Sequence, residues 1–401
     1  MTAIMATSLS LSALSMEYVV KLKNKNLKSL SNLEKFGEVT DLNVRVGNFV
    51  VLKSQQKLAQ IIDPNIEYVE ENITFTINTQ DEKFEDQWGL KNTGTNSGSI
   101  FFPGKKGVDI DAEEAWKITK GDSSIKIAVI DTGVDYTHKD LVKNLMVNEA
   151  EKNGVEGIDD DGNGFVDDIY GYDFANNDGD PMDGHGHGTH CAGVIGASHD
   201  TFGIAGVMDN AQILSIKFLT DSGGGTLSAA IQAIDYAIQR GVDIMSNSWG
   251  GGGYTQALYD VIEEANKAGI TFVAAAGNSR SDNDAKPAYP ASYELDNVIS
   301  VGALDGKGKK ASFSNYGKKS VHVFAPGVDI LSTVTDNKHK KMSGTSMAAP
   351  HVSGIVGLLL SVEPNKTPLE VRDRLLNSTI GADDLSDYSQ AGYISAHKTI
   401  Q

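Results

Sequence analysis

The sequence predicts an α/β domain built on a parallel sheet and preceded by a small α+β unit, and three observations carry that expectation. From Ile125 onward, short apolar runs alternate with stretches of helical periodicity, as expected of strands buried on both faces and joined by crossover helices. Residues 17–78 carry eight basic and eight acidic side chains, whereas the whole chain carries a net charge of -18, so the acidic excess begins at 79 and marks a boundary. With 401 residues, 40% of them apolar, and 42 glycines, the chain can bury one large core or two smaller ones and turn tightly between elements.

Residues 1–16 read as a signal remnant or a disordered start. Leu9, Leu11, Ala13 and Leu14 hint at an apolar core ending in small residues, but no Lys or Arg precedes them and serines interrupt the run. In residues 17–78, Tyr18 to Leu22, Asn48 to Leu52 and Glu67 to Val69 read as strands, with helical character around Lys25 to Phe36 and Gln55 to Ile62. Residues 79–110 form a linker and arm, and 111–401 the large domain. Its strands are expected at Ile127 to Ile130, Ile213 to Phe218, Ile244 to Asn247, Ile270 to Ala276 and Val298 to Val301. Leu227, Ile231, Ile234 and Ile238 repeat at helical spacing and stop at Gly241. Leu258, Val261, Ile262 and Ala265 do the same and stop at Gly269. These stripes are core rather than sites.

Composition excludes several function classes. A net charge of -18 without a basic cluster argues against nucleic acid, which demands Lys and Arg to displace counterions. No run of 18 or more apolar residues predicts a membrane span. The single cysteine, Cys191, rules out an internal disulfide framework and reads as a small buried hydrophobe rather than a second nucleophile.

The stretch Gly344-Thr345-Ser346-Met347-Ala348-Ala349-Pro350-His351-Val352-Ser353-Gly354 sets a serine at the mouth of a helix. A serine hydroxyl is a poor nucleophile at neutral pH and needs a base, and the base needs an orienter. Both are present. Asp131-Thr132-Gly133 follows an apolar run, where a parallel sheet collects functional groups at strand ends. His187-Gly188-Thr189-His190-Cys191-Ala192-Gly193 lies between the two. A zinc reading of His185, His187 and His190 is disfavoured because the intervening glycines set no common ligating face.

Asp159, Asp161, Asn163 and Gly164 fall at positions 1, 3, 5 and 6 of a calcium loop, with the Phe165 carbonyl at 7 and Asp167 at 9. Tyr170 stands at position 12 in place of a bidentate Glu, so the loop is EF-like only, with Asp168 or Asp173 as substitutes.

The chain order Asp, His, Ser and these flanks resemble the subtilisin-like serine proteases, from about Gln87-Trp88-Gly89-Leu90 to the C-terminus. The resemblance implies a three-layer catalytic domain and a serine endopeptidase acting on polypeptides. It makes Ser346 the nucleophile, His187 the base and Asp131 its orienter, with Asn278 in the oxyanion hole, His190 structural and His185 an exposed loop residue. Substrate would lie as an added strand between Gly223-Gly224-Gly225 and Ser248-Trp249-Gly250, with Ala288 at the first specificity pocket and a cis Tyr289-Pro290 bond. Cys191 is typical of the proteinase-K-like branch and implies sensitivity to mercurials. A second calcium site would join Asp140 to Ser198, Asp200, Phe202 and Ile204, with Glu85 or Asp86 as a further ligand. Residues 17–78 would be a propeptide, acting as chaperone and inhibitor and cut off near Asn78. An exported, monomeric enzyme follows from the same resemblance.

Three rival readings are weaker. A lipase or esterase would need the second glycine of G-x-S-x-G, which Ala348 replaces. A calcium-dependent peptide-binding protein would leave the catalytic residues without a purpose. An ordinary interaction domain would also fit the size and charge of residues 17–78.

Overall fold

The computed structural model describes residues 16–42, 47–72, 81–99, 102–381 and 385–401. The apolar run from Leu9 to Leu14 and the expected cut near Asn78 lie outside the described residues. The chain divides into two units, Met1–Asn78 and Thr79–Gln401.

In the first unit, strands β1 (Met16–Leu22), β2 (Glu38–Asp41), β3 (Phe49–Ser54) and β4 (Ile66–Glu71) form an antiparallel sheet in the order β2-β3-β1-β4. Tyr18, Val20 and Leu22 alternate along β1 and meet Val50, Leu52, Ile61 and Leu33, the last from helix α1 (Leu27–Glu34). Asn26 begins α1 with a reciprocal cap: its Oδ1 accepts the Ser29 N–H while Ser29 Oγ accepts the Asn26 N–H. The helical character around Gln55 to Ile62 shrinks to one 3-10 turn, Leu58–Gln60. Its polar residues leave too little apolar face to hold a longer helix. Sequence periodicity missed β2, an edge strand with Val39 as its single apolar residue.

In the second unit, seven parallel strands form the main sheet: β5 (Lys126–Asp131), β6 (Gly171–Asp173), β7 (Gln212–Lys217), β8 (Ile244–Asn247), β9 (Thr271–Ala275), β10 (Val298–Leu304) and β11 (Val323–Pro326). Their order is β11-β10-β9-β8-β5-β7-β6. The chain runs from β5 out to the β6 edge, returns to β7, and then crosses to β8 on the far side of β5. The strand order therefore reverses at β5, and the carboxyl end of β5 opens onto the crevice where α/β folds place their ligands.

Strand alternation makes the three layers. Ile127 and Val129 face helices α2 (His187–Gly196) and α5 (Thr345–Val362). Ala128 and Ile130 face α3 (Leu227–Gln239) and α4 (Gln256–Lys267). Helices α3 and α4 end just before Gly241 and Gly269, both left-handed, as the stop signals predict. Helix α5 is long and apolar enough to cross a membrane, yet 83% of that window is buried inside the protein. A hairpin of β12 (Ile330–Val334) and β13 (Lys338–Met342) was not legible, because β13 reads Lys-His-Lys-Lys-Met, with no buried residue to set a period.

Ile262 on α4 is fully buried between sheet and helix, away from the crevice. Ile262→Ala is expected to cost about 2–5 kcal/mol, read as a lowered urea midpoint with an unchanged slope.

Candidate active site

Asp131 closes strand β5, and its carboxylate is fully buried. Oδ1 accepts the backbone N–H of Thr132 at 2.7 Å and meets Nδ1 of His187 at 2.7 Å. An ionised carboxylate only accepts, so Nδ1 carries the proton and Nε2 is left as the basic nitrogen. His187 occupies the first position of α2, after Gly186 in the left-handed region at φ 92°. The helix start approaches the Asp131 loop so closely that a Cβ on Gly188 would sit 2.1 Å from the Gly133 carbonyl oxygen. Burial disfavours the charged imidazole, but Asp131 and then Asp183 outweigh it and hold His187 above its ordinary value.

Ser346 lies in the first turn of α5, and its surroundings are set by a proline. Pro350 has no N–H to return to the Ser346 carbonyl four residues back. That carbonyl instead accepts Ser248 Oγ at 2.8 Å and Cys191 Sγ at 3.4 Å. Ser346 Oγ donates in turn to the Ser248 carbonyl at 3.0 Å, so the two serines clasp each other. In this resting arrangement the hydroxyl is held by Ser248 rather than by His187. Burial pushes the Cys191 thiol well above its usual range, which suits a packing residue beneath the serine.

Asn278 follows β9. Its Oδ1 accepts the Thr345 N–H at 2.8 Å and Thr345 Oγ1 at 3.1 Å. A backbone N–H can only donate, so the amide orientation is fixed and Nδ2 remains as a donor for the cleft. One cleft of ≈ 840 Å³ is lined by His187, Ser346 and Asn278 together with Gly223, Gly224, Gly225, Ser248, Trp249, Gly250 and Ala288. The structure thus gathers on one opening the residues expected to react and those expected to hold substrate. The Tyr289-Pro290 bond is cis.

The other histidines do not converge with His187. His185 is exposed. His190 is buried, its Nε2 within 3.0 Å of the Ile330 carbonyl and 3.1 Å of that of Lys340, which ties the β12–β13 hairpin to α2. Burial presses its pKa down to about 4. Asp131, His187 and Cys191 could in principle share a metal ion. The existing Asp131–His187 bond and the un-ionised thiol argue against that use.

The two acidic loops differ. Asp159 accepts the N–H groups of Gly162, Asn163 and Gly164, and Asp167 accepts that of Gly157, so both carboxylates are turned onto the loop itself. Asn163 Oδ1 accepts the Phe165 N–H, and the Phe165 ring packs among Tyr172, Phe174 and Tyr236. Among the described residues, the carboxylates of this region close enough together to share one cation are Glu151, Asp161 and Asp168. Glu151 was missed because it lies outside the loop, in the helical turn Glu149–Lys152, and no spacing rule reaches it.

At the second loop, the Asp140 carbonyl accepts the Ser198 N–H at 2.8 Å, and its Oδ2 accepts that of Ile204 at 3.2 Å. Asp81 lies at the same loop, accepting the N–H groups of Asp200 and Thr201 at 3.0 and 2.9 Å. Phe202 N–H bonds to Asp200 Oδ1. The expected partner from the preceding segment was Glu85 or Asp86; Glu85 pairs with Lys91, while the carboxylate hydrogen-bonded to this loop is Asp81. Burial, then the neighbouring charges of Asp200 and Asp140, raise the Asp81 pKa to about 6 despite its backbone hydrogen bonds.

A family model described as the subtilase family matches residues 122–394. A thermophilic serine proteinase of Bacillus sp. (strain AK1) is 37% identical over 381 residues, covering 94% of this chain and 80% of that protein. Subtilisin DY of Bacillus licheniformis is 36% identical over 280 residues, 70% of this chain and 92% of its own. Thermitase of Thermoactinomyces vulgaris is 36% identical over 293 residues, 73% of this chain and 94% of its own.

A base must be unprotonated to work, and the imidazole here is held above 6.5, so the rate will fall as pH drops through that raised value. The expected profile of kcat/KM has its acid midpoint above 6.5; a rate that is flat from about pH 5 to 9 would remove His187 from the reaction.

Proposed function

Because the chain belongs to the subtilase family and is a serine endopeptidase, we propose that it cleaves polypeptides through an acyl-enzyme on Ser346. The observation that carries this reading is the buried Asp131–His187 hydrogen bond, whose imidazole opens onto the cleft that also holds Ser346. Ser346 Oγ leaves the Ser248 carbonyl, turns to His187 Nε2, gives up its proton there and attacks the scissile carbonyl carbon. Asp131 steadies the imidazolium. The oxygen that gains negative charge is received by Asn278 Nδ2 and the Ser346 N–H at the start of α5. His187 returns the proton to the departing amine, and water repeats the sequence to release the acid. Substrate lies extended between the Gly223–Gly225 and Ser248–Gly250 edges, so affinity comes from backbone pairing, and Ala288 shapes the first side-chain pocket.

Two further parts of the reading concern the protein as made. Residues 17–78 act as an inhibitory propeptide, and support comes from a first unit with its own antiparallel sheet and core. The enzyme is exported, acts as a monomer and is stabilised by calcium. The Asp140 loop fits a hard cation, because Asp140 Oδ1 and Ser198 Oγ are buried with no hydrogen-bond partner among the described residues and Asp81 adds a carboxylate. Asp200 and the carbonyls of Phe202 and Ile204 would complete that site. A second ion at the other loop would draw on Asp161 with Glu151 and Asp168, and on Asp159, Asn163, Phe165 and Asp167 only if the loop turns them inward. Bound calcium would supply positive charge and would bridge segments far apart in sequence.

Intact mass of the full chain, beside Ser346→Ala, tests nucleophile and boundary together. Wild type is expected to lose about 78 residues in calcium while the variant stays whole; equal processing of both would sink self-cleavage. Chelation with EDTA is expected to lower Tm by about 5–10 °C, and Asp140→Asn to erase most of that difference. A Tm indifferent to EDTA contradicts the calcium assignment.

A further inference from the structure

Asp183 stands four residues before His187 and is 3% exposed. Its charge is held by five donors. Oδ1 accepts Thr132 Oγ1 at 2.9 Å and the backbone N–H groups of His185 and Gly186 at 2.9 and 2.8 Å. Oδ2 accepts the Thr189 N–H at 2.9 Å and Thr189 Oγ1 at 2.7 Å. These donors come from two separate segments. Thr132 directly follows Asp131, and its hydroxyl also accepts the Gly188 N–H at 2.9 Å. Gly186, Gly188 and Thr189 are the backbone around His187. Thr189 Oγ1 returns the tie by accepting the Asp135 N–H at 2.9 Å.

We propose that Asp183 is a positioning residue for the Asp131–His187 couple: a buried carboxylate that locks the loop leaving β5 onto the first turn of α2 and sets a second negative charge near the imidazole. The inference rests on the reading of His187 as the base. Its physical content is twofold. The ties fix the separation of two segments whose relative shift by a fraction of an ångström would lengthen the 2.7 Å bond. The charge favours imidazolium, the form that appears when Ser346 gives up its proton. Among the described residues, the titratable groups around His187 are Asp131, Asp183, His185, His190 and Cys191, with Lys217 bound to the Thr132 carbonyl at 2.8 Å and to Asp221 at 2.7 Å. Cys191 is un-ionised and His190 is neutral over the working range, so Asp183 is the second anion acting on the imidazole.

A plain helix-capping role would cost stability and active fraction but leave the His187 midpoint in place. The test is therefore Asp183→Asn, which keeps shape and removes charge. We expect kcat to fall about ten- to hundredfold with KM changed less than about twofold, and the acid midpoint of kcat/KM to move down by about half a unit to one unit. Asp183→Glu, which keeps the charge but misplaces it, should return the midpoint toward wild type while kcat stays low. NMR titration of the His187 ring in Ser346→Ala, with and without Asp183→Asn, measures the same shift without any turnover. An unchanged midpoint in both measurements overturns the proposal. If wild type shows no Ser346-dependent turnover, the functional reading fails while the titration still decides the role of Asp183. Should Asp183→Asn not fold, Thr132→Val cuts one tie and keeps the charge: a kcat lowered about tenfold or more supports positioning, and an unchanged kcat refutes it.

Discussion

The hydrogen bond between Asp131 and His187 is the constraint around which the rest of the molecule is arranged. It joins residues 56 apart in sequence, one at the end of a central strand and one at the start of a helix in the layer below. A fully buried carboxylate is costly unless it is hydrogen-bonded, and Asp131 Oδ2 has no hydrogen-bond partner among the described residues. The anion therefore depends on Thr132 N–H and on the imidazole, so the contact that orients the His187 ring also makes the buried charge tolerable. The strand reversal at β5 delivers it: only there does a central strand end face a crevice that neighbouring crossovers leave open.

Much of the chemistry is built from groups that are missing. Gly188 and Gly133 lack the Cβ atoms that would collide with the Gly133 and Pro181 carbonyl oxygens at 2.1 and 2.3 Å, and so the His187 helix can close on the Asp131 loop. Pro350 lacks the N–H that would tie up the Ser346 carbonyl, and Ser248 and Cys191 take that carbonyl instead. The serine at the mouth of α5 is thereby held through its backbone as well as its side chain. The same economy explains the lone cysteine, whose burial serves packing under the serine and whose reactivity is suppressed.

The acidic excess serves two physical ends. Most carboxylates are solvated, but a few are committed inside the fold. Asp183 is satisfied by five donors, whereas Asp168 is compensated by Arg240 at 2.7 Å, by the Tyr236 hydroxyl and by two asparagine amides. Asp140 retains an unpartnered buried oxygen beside His339 and Asp81, which distinguishes it from both. Net charge alone separates none of these cases, because each depends on which donors the chain brings to that carboxylate.

The sequence by itself determined the class of fold and five of the seven strands of the main sheet, because buried apolar runs, helical stripes and glycine stops are local properties; β6 and β11, three and four residues long, are too short to set a pattern. Asp131, His187, Ser346 and Asn278 were singled out by short motifs and their family resemblance, and the fold sets Asp131 against His187 and places His187, Ser346 and Asn278 on one cleft. Tertiary structure alone decided what local patterns cannot carry. It brought Asp81 onto the loop of Asp200 and Thr201, brought Glu151 to a loop that begins eight residues later, folded a lysine-rich stretch into a hairpin pinned by His190, and made Asp183 a hub between two segments. Each of these rests on donors and acceptors distant in sequence, and hydrogen-bond partners at that distance are chosen by the packing of the sheet and its helices, which no spacing within the chain records.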